Sequence, residues 1–297
     1  MAHQEYDEFG LFHENAAEWD LTLDAPPTVE RITTALADGR TLSGLRWGDG
    51  PPTMVLLHGG AQNAHTYDTV ALVLGGDLLC LDLPGHGHSD GGAEGRLDPT
   101  SMASDVITAI TAACEGPITL VGMSLGGLCA IAVAAARPDL VARLALIDIT
   151  PGVTGSKASH ITDFINGPPG FESFEDLVAR TMAFNPTRSE ASLRRGILHN
   201  AVQLDDGTWV WRWARHRQGV ATVAPDQVDL WASVASLSMP ALLVRGMAEG
   251  SVVDDDDEAR FLAEAPDPRV ARVEGAGHSV QGDQPLELAA LLASFAG

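Results

Sequence analysis

The chain has 297 residues, with 40 Asp and Glu against 18 Lys and Arg, which gives a formal net charge of −22. Proteins that bind phosphate backbones depend on clustered Lys and Arg, so this charge excludes a nucleic-acid-binding protein and disfavours contact with anionic membrane surfaces. Apolar residues make up 45% of the chain and charged residues 20%, a composition that supports a large buried core. We therefore expect a folded globular protein.

The cysteines and the N-terminal residues indicate the compartment. The three cysteines, Cys80, Cys114 and Cys129, are odd in number and lie in apolar runs, which favours reduced thiols over a disulfide framework. Residues 1–30 contain eight acidic residues and no Lys or Arg, so they lack the basic start of a secretory signal. The longest apolar stretch, residues 125–136, is about half of what a bilayer span needs. These features predict a cytoplasmic protein without a membrane segment.

Residues 1–28 form an acidic segment with scattered aromatic side chains, and we expect them to be an N-terminal arm that leads into the fold. Two short alternating runs follow, at 29–36 and 40–47, separated by a turn that contains Gly39. Alternating apolar residues indicate a strand with one buried face, and the glycine suits a tight turn. The pattern predicts an antiparallel β-hairpin at the start of the domain.

Six short apolar runs follow the hairpin. They lie at 54–57, 78–81, 118–121, 144–147, 241–245 and 269–273. Strands that are apolar at every position are buried on both faces, which is typical of a parallel sheet covered by helices. The sequence therefore predicts an α/β fold with a mostly parallel sheet flanked by helices.

The interval between the fourth and fifth apolar runs is too long for one crossover. Residues 151–237 contain no further run of the parallel-sheet type, and they include amphipathic helical stretches near 174–184 and 189–198. We interpret this segment as an inserted helical cap, or lid. The core domain then consists of residues 29–150 and 238–297.

The segment Gly122-Met123-Ser124-Leu125-Gly126 carries the clearest chemical signal. It follows a predicted strand directly and precedes a helix-length run of small and apolar residues. A G-x-S-x-G segment in this context is typical of a nucleophile elbow, whose strained serine leaves no room for side chains two residues before and after it. The turn also directs the N–H of Leu125 and the helix N-terminus toward an oxyanion on the substrate. Ser124 is therefore the predicted nucleophile.

Three further motifs occur in order around the elbow. They are H-G-G-A at 58–61, after the first apolar run, D-x-P-G-x-G-x-S at 82–89, and G-A-G-H at 275–278, after the last run. Together with the elbow, these motifs make the chain resemble the α/β-hydrolase fold superfamily over residues 29–297.

The resemblance assigns roles to three positions. It implies that the N–H of Gly60 joins that of Leu125 as an oxyanion donor, and that His278, in its glycine-rich loop, is the general base. Because position 124 is a serine, the resemblance argues against the epoxide hydrolases and haloalkane dehalogenases of this fold, whose nucleophile is a carboxylate. It implies a Ser-His-acid triad that works without a cofactor.

The acid of the triad is the position for which the sequence offers alternatives. The family's usual loop after the fifth apolar run has the form G-x-x-D, but here Glu249 occupies the spacing of the expected aspartate. Asp148 ends the fourth run, where an aspartate among apolar residues needs a partner and lies next to the elbow. As the acid of the triad, we favour Asp148 over Glu249 and over an acidic residue in the run 254–257. That run is more typical of the acidic first turn of a helix that continues to Ala265.

Three other histidines, His58, His86 and His88, lie in the loops that carry the motifs. We interpret them as structural side chains that form hydrogen bonds. They have no Glu or Cys set nearby at ligand spacing, so we predict no metal site. The acidic run 254–257 likewise lacks the alternating ligands and central glycine of a calcium loop.

Aromatic side chains are concentrated in the predicted cap. Trp209, Trp211 and Trp213 alternate, as on one face of a strand or an extended hairpin, and Phe184 is among the phenylalanines that precede them. Such residues either wall an apolar acyl pocket or pack the cap onto the core. We take Trp211, Trp213 and Phe184 as the candidate substrate-binding residues.

These observations lead to a hypothesis for function. We expect a serine hydrolase that cleaves a small to medium carboxylic ester or lactone through an acyl-enzyme, with a small-molecule substrate as its partner. Two alternatives remain open: a biosynthetic enzyme of this fold that performs acyl transfer, cyclisation or carbon–carbon bond cleavage, and a non-catalytic member that only binds a ligand. The sequence is equally compatible with a monomer and with a homo-oligomer.

Overall fold

The computed structural model of the protein describes residues 6–92, 97–213 and 230–297. Its strands are numbered β1 to β11 in chain order. They span Val29–Ala35, Thr41–Trp47, Met54–Leu57, Leu78–Leu81, Ile118–Met123, Val141–Ile147, Gly170–Phe171, Ala201–Gln203, Trp209–Trp211, Ala241–Gly246 and Pro268–Val273. The six apolar runs correspond to β3, β4, β5, β6, β10 and β11, so these predicted strands are confirmed.

The helices are numbered α1 to α11. They span Phe12–Glu18, Asp68–Leu74, Pro99–Ala113, Leu125–Ala136, Ser159–Ile165, Phe174–Phe184, Glu190–Asn200, Trp231–Ala235, Asp255–Glu264, Val280–Asp283 and Pro285–Ala296. A short 3₁₀ helix, Ala64–Tyr67, precedes α2. Within the described ranges, none of the helices has the length and apolar character needed to cross a bilayer.

Eight strands form one sheet in the order β1-β2-β4-β3-β5-β6-β10-β11. β1 and β2 are the predicted antiparallel hairpin, and β2 is also antiparallel to β4. In sheet order, every pairing from β4 to β11 is parallel. The carboxyl ends of the parallel strands therefore meet along one edge, where open α/β sheets bind their ligands. The predicted α/β fold, a mostly parallel sheet flanked by helices, is confirmed.

The central strands of the sheet are buried on both faces because neighbouring residues of each strand belong to different cores. In β3 and β4, Val55 and Leu79 pack in the cluster that includes α3, α4, α8 and α9, whereas Leu56 and Cys80 pack with α1, α2 and α11. All four side chains are fully buried. A strand between two helical layers must be apolar at consecutive positions, which explains why these runs are continuous rather than alternating.

The chain between β6 and β10 contains helices and a second, small sheet. α6 begins at a capping box formed by Ser173 and Asp176, and the Ser189 side chain caps α7. Both helices lie where the sequence predicts them. β7, β9 and β8 form a three-stranded antiparallel sheet, which the prediction of a helical cap did not include. Its aromatic side chains pack with α6 and α7 in a hydrophobic cluster separate from the two that cover the large sheet. By contrast, α8 packs beside α4 and α9 against the large sheet.

The acidic N-terminal segment contains a helix that packs on the core. Phe12 of α1 is buried, and its ring centroid lies 5.0 Å from that of Trp47 in β2. Glu18, at the end of α1, forms an ion pair with Arg195 of α7. The segment therefore contacts both the sheet and the inserted helices, and it does more than lead into the fold.

Candidate active site

Ser124 lies at the turn between β5 and α4, at the carboxyl edge of the sheet. Its backbone has a φ of 51° and a ψ of −120°, a combination that residues other than glycine rarely adopt. A Cβ on Gly122 would lie 2.4 Å from the carbonyl oxygen of Gly126, and one on Gly126 would lie 2.3 Å from that of Leu57. Backbone atoms cannot yield to such contacts, so the predicted need for glycine at both positions is confirmed.

His278 follows β11, in a loop that contains Gly275 with a φ of 71°. Its ring is buried, and Nδ1 lies 2.9 Å from Oδ2 of Asp148. Nε2 is buried as well and has no hydrogen-bond partner among the described residues. A neutral ring that donates from Nδ1 presents a lone pair at Nε2, so this atom can accept a proton. His278 and Ser124 line the same cavity.

Asp148 follows β6 with a φ of 45° and is completely buried. Besides the contact with His278, its carboxylate accepts hydrogen bonds from Gly246 N–H at 3.0 Å, Ser251 Oγ–H at 2.6 Å and Val252 N–H at 2.9 Å. Four donors thus compensate a charge that burial alone would disfavour. The carboxylate is held in place by the loop after β10, and it fixes the orientation of the His278 ring.

The other candidate acids form no hydrogen bond with the His278 ring nitrogens in the described residues. Glu249 is exposed at the cavity wall and forms no hydrogen bond with His278 in the described structure. Asp254 is the N-cap of α9 and accepts a hydrogen bond from Asp257 N–H in a capping box. The run 254–257 therefore forms the acidic helix start that the sequence predicts.

The two predicted oxyanion donors lie in the loop after β3 and at the turn between β5 and α4. A Cβ on Gly60 would lie 3.9 Å from the Leu125 side chain, so the two residues are neighbours. Leu125 is the first residue of α4, and an N–H at this position has no partner within its helix. Neither amide takes part in a hydrogen bond between described residues. Gly60 also lines the cavity that Ser124 and His278 share.

His58 positions the loop that carries Gly60. Its Nδ1 lies 2.7 Å from the carbonyl oxygen of Gly59, and Nε2 accepts a hydrogen bond of 2.9 Å from Leu83 N–H. Complete burial lowers the pKa of this ring, which is therefore neutral. In the neighbouring loop, His86 Nδ1 lies 3.0 Å from the carbonyl oxygen of Pro84. These bonds support the structural interpretation of the two histidines.

The cavity has a volume of about 760 Å³, and its wall contains two of the three candidate substrate-binding residues, Trp211 and Phe184. Trp213 is buried behind Trp211, with the ring planes 18° apart and the centroids at 6.5 Å, and it does not contribute to this wall. Trp209 packs against Phe174, with centroids 5.2 Å apart. The alternating tryptophans therefore divide between lining the cavity and packing the inserted segment.

A second ionisable cluster lines the cavity, and the sequence analysis did not identify it. His65 Nδ1 lies 2.9 Å from Asp68 Oδ2, and Nε2 lies 3.2 Å from Glu8 Oε1. His199 stacks on His65 at a centroid distance of 3.7 Å and contacts the Tyr6 hydroxyl. Burial disfavours charge on His65, but the two carboxylates outweigh it and raise the pKa to about 9. Burial and the charge on His65 lower the pKa of His199 well below its usual value.

This cluster also contains the side chains nearest to a metal-ligand set in the described residues. Ligand atoms of His65, Asp68 and His199 lie within 4.8 Å of one another. The two imidazole rings are stacked 11° from parallel, so their nitrogen lone pairs do not converge on one point. A bound ion would also have to displace the proton of His65 and its contact with Glu8. As arranged, the cluster is an ion-pair network; only its His-x-x-Asp spacing at 65–68 could have marked it in the sequence.

Comparisons with known proteins agree with this architecture. The model of the alpha/beta hydrolase family matches residues 54–291. Esterase Rv0045c of Mycobacterium tuberculosis is 40% identical over 95% of this chain and 93% of its own length. A solved structure of that esterase has a TM-score of 0.85 and 38% identity, and covers 98% of this chain and 99% of that one. The 3-hydroxybutyrate-oligomer hydrolase of Cupriavidus necator is 26% identical over 84% of this chain and 91% of its own length.

Proposed function

Because this chain belongs to the alpha/beta hydrolase family, we propose that it is an esterase that cleaves a small to medium carboxylic ester or lactone through an acyl-enzyme on Ser124. The 40% identity to an esterase over 95% of the chain supports an ester substrate. The observation that carries the proposal is the 2.9 Å contact between His278 Nδ1 and Asp148, which leaves Nε2 without a hydrogen-bond partner among the described residues, on a side chain that lines the same cavity as Ser124. A protein that only binds a ligand has no use for a strained serine beside an oriented base.

In the first half-reaction, Nε2 of His278 accepts the hydroxyl proton of Ser124 while Oγ attacks the carbonyl carbon of the ester. The N–H groups of Gly60 and Leu125 donate hydrogen bonds to the negative carbonyl oxygen of the tetrahedral intermediate. The intermediate collapses, His278 gives its proton to the departing alkoxide, and the acyl group stays on Oγ. Asp148 remains ionised and stabilises the imidazolium.

In the second half-reaction, water replaces the alcohol. His278 removes a proton from this water, and the hydroxide attacks the acyl carbonyl carbon. The second tetrahedral intermediate expels Oγ of Ser124, which regains its proton from His278, and the carboxylic acid leaves. Serine, histidine and carboxylate carry all of the proton transfers, so we propose no cofactor.

The test of the nucleophile is labelling with a fluorophosphonate probe, which reacts with activated serines. We expect one adduct, located at Ser124 by mass spectrometry, and none in Ser124→Ala, because alanine fits the elbow without a change in the backbone. Thermal melting of both proteins provides the control for folding. Labelling that persists in the folded variant would disprove the assignment of Ser124, and an unlabelled wild-type protein would disprove the serine mechanism.

Trp211 and Phe184 are the proposed walls of the acyl site. Burying one methylene contributes about 0.8 kcal/mol, which is about a fourfold change in kcat/KM per carbon while the site accommodates the chain. Trp211→Ala should flatten this dependence across p-nitrophenyl esters of increasing chain length. Trp209→Ala, which disturbs packing against Phe174, is the matched control and should lower the melting temperature without changing the profile. The same dependence of kcat/KM on acyl chain length in the wild type, Trp211→Ala and Trp209→Ala would show that Trp211 does not line the acyl site.

We also propose that the enzyme acts in the cytoplasm. The three cysteines form no disulfide, and Cys80 and Cys129 are buried. Burial raises the pKa of both thiols, so they stay protonated in the core. A reducing compartment suits such thiols. Fractionation of the source cells with detection of the protein tests this location.

A further inference from the structure

Arg188 is a cation of the cavity wall that has no carboxylate partner within residues 6–92, 97–213 and 230–297. It lines the cavity together with Ser124 and His278. Its Nη2 donates a hydrogen bond of 2.6 Å to Ser192 Oγ, and no ion pair joins it to a carboxylate of the described residues. Burial lowers the pKa of the guanidinium, although an arginine remains protonated at every pH at which proteins fold. The charge is therefore present and incompletely compensated.

The other Lys and Arg side chains of the cavity wall are compensated. Lys157 lies 2.6 Å from Asp254, and Arg195 forms an ion pair with Glu18. The chain has 40 acidic residues for 18 basic ones, so most arginines find a carboxylate within the protein. An arginine that faces a cavity and lacks one is available to an anion that comes from outside the chain.

The position of Arg188 relates this charge to the reacting atoms. A Cβ on Gly282 would lie 2.6 Å from Nη1, so the guanidinium packs against the backbone of α10. Gly282 is four residues after His278 in the chain, and Arg188 and His278 line the same cavity. The adjacent Asp283 accepts a hydrogen bond of 3.0 Å from Gly277 N–H and lies beyond ion-pair distance of Arg188. The charges of Asp283 and Glu18 attract the guanidinium, and that of Arg195 repels it.

We propose that Arg188 binds a carboxylate carried by the substrate, so that the preferred substrates are esters with a second, free carboxylate group. This inference rests on the proposed esterase function and specifies its substrate class. The planar guanidinium matches the two oxygens of a carboxylate. A single arginine balances one negative charge, whereas Asp283 and Glu249 at the same wall would repel a dianionic phosphate. The geometry therefore favours a monoanionic carboxylate.

The test compares two substrates that differ only at the far end of the acyl chain. Mono-p-nitrophenyl adipate carries a free carboxylate, and p-nitrophenyl methyl adipate carries a neutral methyl ester there. The proteins are the wild type, Arg188→Gln, Arg188→Lys and the control Arg194→Gln. Arg194 lies on α7, is paired with Glu175 and Glu190, and is absent from the cavity wall in the described residues.

The wild-type enzyme should prefer the acid over its methyl ester. A charged hydrogen-bonded pair supports about a tenfold to hundredfold difference in kcat/KM. Arg188→Gln should lose at least about tenfold more kcat/KM on the acid than on the methyl ester, mostly through KM, because a binding interaction is removed. Arg188→Lys should keep part of the preference, and Arg194→Gln all of it. Equal losses on both substrates in Arg188→Gln, or a wild-type enzyme that prefers the methyl ester, would overturn the proposal.

A second measurement does not depend on turnover or on the folding of a variant. Adipate should inhibit the wild-type enzyme competitively at a concentration at least about tenfold below that of adipamide, its neutral analogue. Equal inhibition by the two compounds contradicts the proposal even when esters are hydrolysed. If neither p-nitrophenyl ester is hydrolysed and the probe does not label Ser124, the proposed esterase function is wrong. Calorimetric titration of adipate into the wild type and Arg188→Gln then still shows whether Arg188 binds a carboxylate.

Discussion

Two buried histidine–aspartate pairs border the same cavity, and their shortest contacts have the same length. His278 Nδ1 lies 2.9 Å from Asp148, and His65 Nδ1 lies 2.9 Å from Asp68. The pairs differ at the second ring nitrogen, because Nε2 of His278 has no partner among the described residues whereas Nε2 of His65 lies 3.2 Å from Glu8. Carboxylates on both sides keep His65 protonated, with a pKa of about 9, so it has no lone pair to offer.

The carboxylates differ as well. Besides the ring, Asp148 accepts one hydrogen bond from the end of β10 and two from the loop that follows it. Oδ1 of Asp68 has no hydrogen-bond partner in the described residues, and burial raises the pKa of this carboxyl group. The distance between a histidine and an aspartate therefore does not identify a general base. An open Nε2 and a carboxylate that is otherwise satisfied distinguish the pair beside Ser124.

The sharpest test of this difference replaces each histidine in turn. His278→Ala should lower kcat by about 10⁶, as expected for a residue that acts as a unit with the nucleophile. His65→Ala should reduce kcat by less than about tenfold and should mainly lower the melting temperature, since it leaves Glu8 and Asp68 without their shared cation. Steady-state kinetics on one activated ester, with the melting temperature of each protein, decides between these outcomes. Comparable losses of kcat would mean that both pairs take part in the reaction.

The next test replaces the carboxylates. Asp148→Asn should lower kcat by about four orders of magnitude, because the amide favours the wrong tautomer of His278. Asp68→Asn and Glu249→Gln should each cost less than about tenfold, since neither carboxylate contacts the base. Asparagine cannot satisfy all of the donors around position 148, so circular dichroism at the assay temperature must first show that the variant is folded. A larger loss in Glu249→Gln than in Asp148→Asn would move the acid to the loop after β10.

The smallest expected effect is on stability. The pKa of His65 is about 9 in the folded protein, and an unfolded histidine titrates near 6.5. A raised pKa means that the contribution of His65 to stability is fully present below about pH 6.5 and is lost as the pH rises through about 9. The wild-type melting temperature should therefore fall by a few degrees more over this interval than that of His65→Gln. Parallel melting curves for the two proteins would show that His65 is not charged in the folded state.

The sequence predicts the elements that local patterns determine. The apolar runs identify the strands because helices cover both faces of the central sheet. The nucleophile elbow can be recognised in the sequence because a Cβ at Gly122 or Gly126 would clash with the backbone, so both positions must be glycine. Asp148 could be identified as a candidate because a carboxylate in an apolar run needs donors. The structure brings it to His278 across 130 residues.

The remaining features depend on how distant segments pack. Tyr6 and His199 are 193 residues apart in the chain, and no local pattern indicates that they meet. The same holds for Arg188, whose lack of a carboxylate partner among the described residues depends on its surroundings in space and not on its neighbours in sequence. Alternation placed Trp211 and Trp213 on one side of a strand, but only the packing of the inserted segment decides which of them faces the cavity.

The N-terminal segment bears on substrate choice in the proposed esterase. Asn15 and Trp19 form part of the cavity wall, although the match to the family begins only at residue 54. The residues that shape this cavity can therefore change without any change in the strands that carry Ser124 and Asp148. Under the proposed function, substitutions in this segment would change which esters are accepted while the reaction at Ser124 stays the same.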